Sequence, residues 1–208
     1  MATATGDLLF SRAFAELAGA RSVQAVRLLS RASAGLAEGE LLQRADAWLL
    51  DVSVERYLER CRLKTAVLFR AACELGALFG GGFAEPLGAF GEQIGLAFQL
   101  LDDVLDVTGP PERTGKPRGA DLLDGTITLP LIVAASRDPS LASIDPRGLT
   151  AAQAAAVCDR IALTGALDVV RDRALSLVGA AKASLPALPA RQRAALELVA
   201  DGVVDRYS

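Results

Sequence analysis

The 208-residue chain contains no histidine. That absence removes a Ser-His-Asp triad, a His-ligated zinc, an imidazole base and the Glu-x-x-His signature of di-iron bundles. Any chemistry here must use carboxylates, amides, hydroxyls, Lys or Arg. There are three cysteines, Cys61, Cys73 and Cys158, and no Cys-x-x-Cys pair. An odd count at wide spacing points to reduced, mostly buried thiols and a cytoplasmic setting. No apolar run approaches the length of a membrane span. The first residues lack the basic region and apolar core of a secretory signal. The formal net charge is -3, and Lys and Arg are scattered rather than clustered, which argues against a nucleic-acid surface.

What the chain does have is apolar content: 51% of residues are hydrophobic, Ala and Leu dominate, and β-branched residues are sparse. That composition excludes disorder and favours helices. Apolar positions recur at three and four, and no stretch alternates as a strand does. About eight helices are expected. The first runs from Thr5 to Leu17. Ser22 caps a second that reaches Arg44, and Ser53 caps a long third that reaches Phe79 and ends in Gly80, Gly81 and Gly82. Pro86 opens a fourth, which stops at Gly109, Pro110 and Pro111. A polar, Gly-rich segment from Glu112 to Thr126 follows, long enough to suggest a functional loop. A short helix begins near Leu129. Thr150 and Gln153 form a capping box that starts the next. Helices over 165–184 and 190–204, separated by Pro186 and Pro189, complete a single all-α domain over 1–208.

The helix opened by Pro86 carries Gln99, Asp102, Asp103 and Asp106. An advance of about 100° per residue puts Asp102 and Asp106 on one face. Gln99 precedes Asp102 by three and Asp103 by four, so it joins that patch. Three acids in five residues describe a solvated face in most helices. Here the apolar flanks Leu96, Ala97, Phe98, Val104, Leu105 and Val107 argue for burial, and buried carboxylates need partners. A hard divalent cation, Mg2+ shared with a substrate phosphate, would provide one. The loop downstream is basic and Gly-rich, with Arg113, Lys116 and Arg118. Acids followed by a Lys-bearing loop suit a metal-bridged phosphate; a surface lysine beside a turn is the plain alternative for Lys116. Lys64 enters an apolar stretch and has two options: to snorkel to the surface or to point into a polar cavity. Glu38, Gly39 and Glu40 are equally open, as solvated acids around a glycine that admits a close helix.

Taken together these positions resemble the trans-isoprenyl diphosphate synthases, the polyprenyl synthetase family. Gly6-Asp7, Glu38-Gly39-Glu40 with Gln43, and Tyr57 followed by Lys64-Thr65 match its motifs in order. So do Phe98-Gln99, Asp102-Asp103-Val-Leu-Asp106, Thr114-Gly115-Lys116, Gly119-Ala-Asp121, and Gly125-Thr-Ile-Thr-Leu-Pro130. The resemblance implies a helical bundle around a deep central cavity. It implies a transferase of isoprenoid biosynthesis: a prenyltransferase condensing isopentenyl diphosphate with an allylic diphosphate, assisted by Mg2+. It makes Asp102 and Asp106 the metal carboxylates with Asp103 in support, and gives the allylic diphosphate to Lys64 and Lys116 with Gln99 beside it. Thr65 shapes a helix break.

The chain also departs from the family pattern. The family has a second aspartate-rich motif on a facing helix, expected upstream of Gly6-Asp7, and isopentenyl diphosphate contacts further upstream. Neither lies within these 208 residues. The bundle is therefore expected to be N-terminally incomplete, roughly the C-terminal two-thirds of the fold, and to expose more apolar surface than a monomer usually does. Thr126 stands where many members carry Lys. Activity is expected to need the missing part or a partner chain within a homo- or hetero-oligomer. A non-catalytic partner subunit of a full-length synthase, and a generic helical-bundle interaction protein, are the competing readings.

Overall fold

The computed structural model describes residues 2–110 and 115–207. Pro111 to Thr114, within the expected loop, lie outside the described residues. The described residues form helices without strands: α1 (Ala2–Gly19), α2 (Val23–Ala45), α3 (Val54–Cys61), a π-helical turn (Arg62–Ala66) and α4 (Val67–Gly80). They continue with α5 (Ala84–Thr108), α6 (Ala120–Leu123), α7 (Leu129–Arg137), α8 (Ala151–Leu163), α9 (Ala166–Ala183) and α10 (Ala190–Asp205).

The expected caps are in place. Ser22 Oγ accepts from Ala25 N and Ser53 Oγ from Arg56 N, both at 3.2 Å. Thr150 and Gln153 make the reciprocal capping box. Gly81 ends α4 in the left-handed region at φ +69°. One expectation needs correction. The polar segment contains the one-turn helix α6, which its charged composition concealed. The long third helix is interrupted by the π turn at Lys64-Thr65, where the family likeness implied a helix break.

α5 is the spine of the bundle. At 1.5 Å per residue it is about 37 Å long. Phe90, Ile94, Leu96, Ala97, Leu100, Leu101, Val104 and Val107 on it are all buried. α4 packs along one side and α9 along another. α4 comes close because α5 offers glycines to it: a Cβ on Gly91 would lie 2.6 Å from Phe69 O, and one on Gly95 would lie 2.7 Å from Ala66 Cα. From the other side, a Cβ on Gly39 of α2 would lie 2.6 Å from Lys64 N. The π turn is thus held between two backbones that only glycine allows so near. Such turns inside α-helices recur at functional sites.

Around this core, Cys61 and Cys158 are buried and Cys73 partly so, all three as free thiols. α1 packs chiefly on α2 and leaves Leu8, Leu9 and Phe10 exposed. After α10, Arg206 and Tyr207 fold back on Phe98 of α5, with the Tyr207 and Phe98 rings edge-to-face at 6.0 Å. Among the described residues no helix is long and apolar enough to cross a membrane.

The two kinds of glycine predict opposite effects. Gly39→Ala is expected to destabilise the fold by about 1–3 kcal/mol through overpacking against the π-turn backbone. Gly179→Ala, in the exposed interior of α9 with open space around it, is expected to stabilise by about 0.5–1 kcal/mol. Urea unfolding midpoints of the two variants check both.

Candidate functional site

A cavity of about 240 Å³ opens beside the π turn, between α2, α3, α5 and the segment 121–128. Tyr57, Arg60 and Cys61 come from α3, Lys64 and Thr65 from the π turn, and Gln43 from α2. Gln99, Asp102 and Asp103 come from α5, and Asp121, Thr126 and Thr128 from the segment beyond. The π turn is what aims Lys64 and Thr65 inward. Lys64 therefore takes the second of its two options: it is half-buried in the cavity wall, its Nζ 3.1 Å from Glu40 Oε2. The hydrogen bond from Lys64 holds the Glu40 carboxyl below the ordinary range. Glu38 is exposed.

The acids of α5 divide their roles by azimuth. Asp103 is 1% exposed and accepts from Tyr57 Oη at 2.5 Å and from Gln99 Nε2 at 2.9 Å. Thr65 Oγ1 donates to Gln99 Oε1 at 2.8 Å. One chain of hydrogen bonds, Tyr57 to Asp103 to Gln99 to Thr65, therefore ties α3 and the π turn to α5 under the cavity floor. Asp102 faces the cavity and accepts from Tyr207 Oη at 3.3 Å. Asp106 is buried one turn further on. Its Oδ2 accepts from Asp121 N at 3.3 Å, and its Oδ1 has no hydrogen bond but lies 3.1 Å from Lys116 Nζ. Lys116 also lies 3.7 Å from Asp121. Asp102 and Asp106 thus face the cavity and the Lys116 loop, not bulk water, which removes the reading of these acids as a solvated face.

Burial dominates the electrostatics of the acids. Burial pushes the Asp103 carboxyl up to about 7, against the opposing hydrogen bond from Tyr57. Burial and the neighbouring Asp106 push Asp121 up to about 6. Asp106 is raised by burial in spite of Lys116. Burial and the charge of Asp103 raise the Tyr57 hydroxyl well above its ordinary value and the Cys61 thiol to about 12. Among the described residues no group of three or more His, Cys, Asp or Glu could hold a metal ion by itself. The donor set nonetheless fits Mg2+, which binds one or two carboxylates and takes its other oxygens from water and substrate phosphate.

Several contributors escaped the sequence reading. Arg60 sits among other charged residues of α3, Glu55, Arg56 and Glu59, and had no motif to mark it. Tyr207 lies 105 residues from Asp102. Next to the cavity-lining Thr126, two loops are clasped together. Trp48 N donates to Gly125 O at 2.8 Å, with both residues at positive φ. A Cβ at Gly125 would lie 2.5 Å from the Trp48 ring, which excludes any other residue there. Below Thr65, along α4 and α5, a second cavity of about 490 Å³ is mainly apolar, lined by Phe69, Cys73, Leu87, Phe90 and Ile94 with Leu196 and Val199 of α10.

The bundle and its acid-rich cavity define a class, and comparison with known proteins names it. Residues 1–154 match the family model described as polyprenyl synthetase. The chain belongs to the polyprenyl synthetase family. It is 38% identical over 178 residues to the heptaprenyl diphosphate synthase component 2 of Geobacillus stearothermophilus, covering 83% of this chain and 55% of that protein. It is 34% identical over 210 residues to the geranylgeranyl diphosphate synthase of Methanosarcina mazei, covering 97% and 65%. The crystal structure of a polyprenyl synthase from Caulobacter crescentus, complexed with calcium and isoprenyl diphosphate, superposes with a TM-score of 0.90 at 41% identity, covering 98% of this chain and 65% of that one. The chain spans 55% to 65% of the length of these relatives.

The raised carboxyls carry a pH prediction. Between the ordinary carboxylate range, near pH 4, and about pH 7, the folded state binds more protons than the unfolded one. Stability therefore falls as pH rises through that window. Asp103→Asn is expected to remove much of the fall, since the Gln99 amide can flip to match it. Unfolding free energies measured from pH 4 to 8 check the slope.

Proposed function

We propose that this chain carries the allylic-diphosphate side of a trans-prenyltransferase that condenses an allylic diphosphate with isopentenyl diphosphate. The observation that supports this most is the arrangement of Lys64, Gln99, Asp102, Asp103 and Asp121 around one cavity, with Asp106 and Lys116 next to it. Asp102 and Asp106 would hold Mg2+, with Asp103 in support. Bound Mg2+ would supply positive charge to the departing diphosphate. Lys64 and Lys116 would contact the same diphosphate, and Gln99, fixed between Asp103 and Thr65, would sit beside it.

In the reaction, the allylic C–O bond breaks and its electron pair leaves with diphosphate. The alkene of isopentenyl diphosphate then attacks the allylic cation, a C–C bond forms, and a proton passes to the released diphosphate. No imidazole is needed, which suits a chain without histidine. The apolar cavity below Thr65 has the chemistry to receive a hydrocarbon tail. Asp-Asp-x-x-Asp occurs once in these 208 residues. Carboxylates facing it, from further sequence or a second chain, are proposed to complete the clamp and to be required for turnover, because loss of positioning lowers rate steeply.

Role as the partner component of a two-chain synthase is the second reading. It is favoured by the likeness to a protein named as component 2 of heptaprenyl diphosphate synthase, and by the exposed Leu8, Leu9 and Phe10 on α1.

Two outcomes are expected. The purified chain alone should show negligible condensation of the two diphosphates in a radiolabelled turnover assay; steady turnover would refute the need for facing carboxylates. Asp102→Ala should weaken Mg2+-dependent diphosphate binding in calorimetry while circular dichroism stays helical. Unchanged affinity would take Asp102 out of the site.

A further inference from the structure

We propose that Arg60 is an anion-contact residue of the cavity, a fixed guanidinium that receives a phosphate group alongside Lys64. The assignment rests on the reading of the cavity as a diphosphate site, and it goes beyond it by adding a cation that no motif marked.

Arg60 is 3% exposed and lines the cavity. A buried guanidinium is rare and is normally matched by a carboxylate of its own. Arg60 has no such exclusive partner. The nearest carboxylate is Asp46, also buried, whose Oδ2 is 3.6 Å from Arg60 Nη1, beyond hydrogen-bond range. Both of those atoms lack a hydrogen bond. Asp46 makes its strong contact elsewhere: Oδ1 accepts from Arg56 Nε at 2.6 Å. One carboxylate is thus shared by two guanidiniums, so Asp46 does not belong to the buried Arg60 alone.

The side chain is also immobilised. Nη2 donates to Ile127 O at 2.5 Å, between the cavity-lining Thr126 and Thr128. The guanidinium carbon sits 5.5 Å from the Tyr57 ring centroid. Ring, carbonyl and distant carboxylate hold it in one place, so little entropy remains to be lost when an anion arrives. Lys64, the other cation in the wall, is engaged by Glu40. Asp102, Asp103 and Asp121 line the same cavity, from α5 and the segment after it. The cavity therefore has acids suited to a cation and, from α3 and the π turn, bases suited to the anion that cation brings.

Calorimetric titration of the 208-residue chain with inorganic diphosphate, in excess Mg2+, tests this. Arg60→Met is expected to weaken binding about ten- to a hundredfold, the usual effect of losing a charge-assisted hydrogen bond. Asp46→Asn, which leaves Arg60 less neutralised, is expected to tighten it. A purely structural Arg60 gives the opposite pattern: Asp46→Asn lowers the melting temperature and leaves affinity unchanged. If Arg60→Met fails to fold, the double variant Asp46→Leu with Arg60→Met removes both buried charges at once. Wild-type affinity in that double variant, or in folded Arg60→Met, overturns the assignment and leaves the diphosphate reading standing. A folded wild-type chain that binds no Mg2+–diphosphate overturns the reading of the cavity, and the Arg60 assignment with it.

Discussion

The contact on which the rest depends is the approach of two glycines, Gly39 and Gly95, to the backbone of the π turn at Lys64–Ala66. A helix face with ordinary side chains stands 8–10 Å from its neighbour's axis. Gly39 and Gly95 admit backbone where side chains would otherwise be, so α2, α5 and the π turn converge at one point. That convergence brings Glu40, Lys64, Thr65 and Gln99 into reach of one another. The hydrogen bonds from Thr65 to Gln99 and from Gln99 to Asp103 then lock the azimuth of α5, and with it the direction in which Asp102 faces.

The second constraint is charge. Burying carboxylates without enough cations raises their pKa values, as burial does at Asp103, Asp106 and Asp121. A fold tolerates such a cluster only at a cost in stability, and groups perturbed in this way concentrate at functional sites. The cationic side of the same cavity is assembled differently. Lys64 is matched by Glu40, while Arg60 shares Asp46 with Arg56. Acids and bases lining one small cavity suit a metal–diphosphate pair better than either ion alone.

Much of the fold was legible in the residues. Caps at Ser22, Ser53 and Thr150, the glycines ending α4 and the prolines bounding α10 act through local backbone chemistry, so their positions follow from a few neighbouring residues. The acid patch at Asp102, Asp103 and Asp106 was legible because helical periodicity is local too. α6 was not, since a single turn flanked by charge and glycine has no period to read. The π turn was visible only as a family likeness at Lys64-Thr65; nothing in the local pattern distinguishes it from the helices on either side. Arg60 was silent because a single arginine in a helix is ordinarily solvated.

The sequence by itself determined that the chain is helical, that its chemistry does without imidazole, and that its acids and lysines follow the order of one family. Those are consequences of composition, periodicity and spacing, which act over a few residues. Only the tertiary structure decided that Asp103 supports the floor while Asp102 faces the cavity, that Lys64 turns inward, and that Tyr57, Arg60 and Tyr207 belong to the same site. Each of these depends on which helices meet, and that is settled by contacts between residues dozens of positions apart, where burial and steric fit act together.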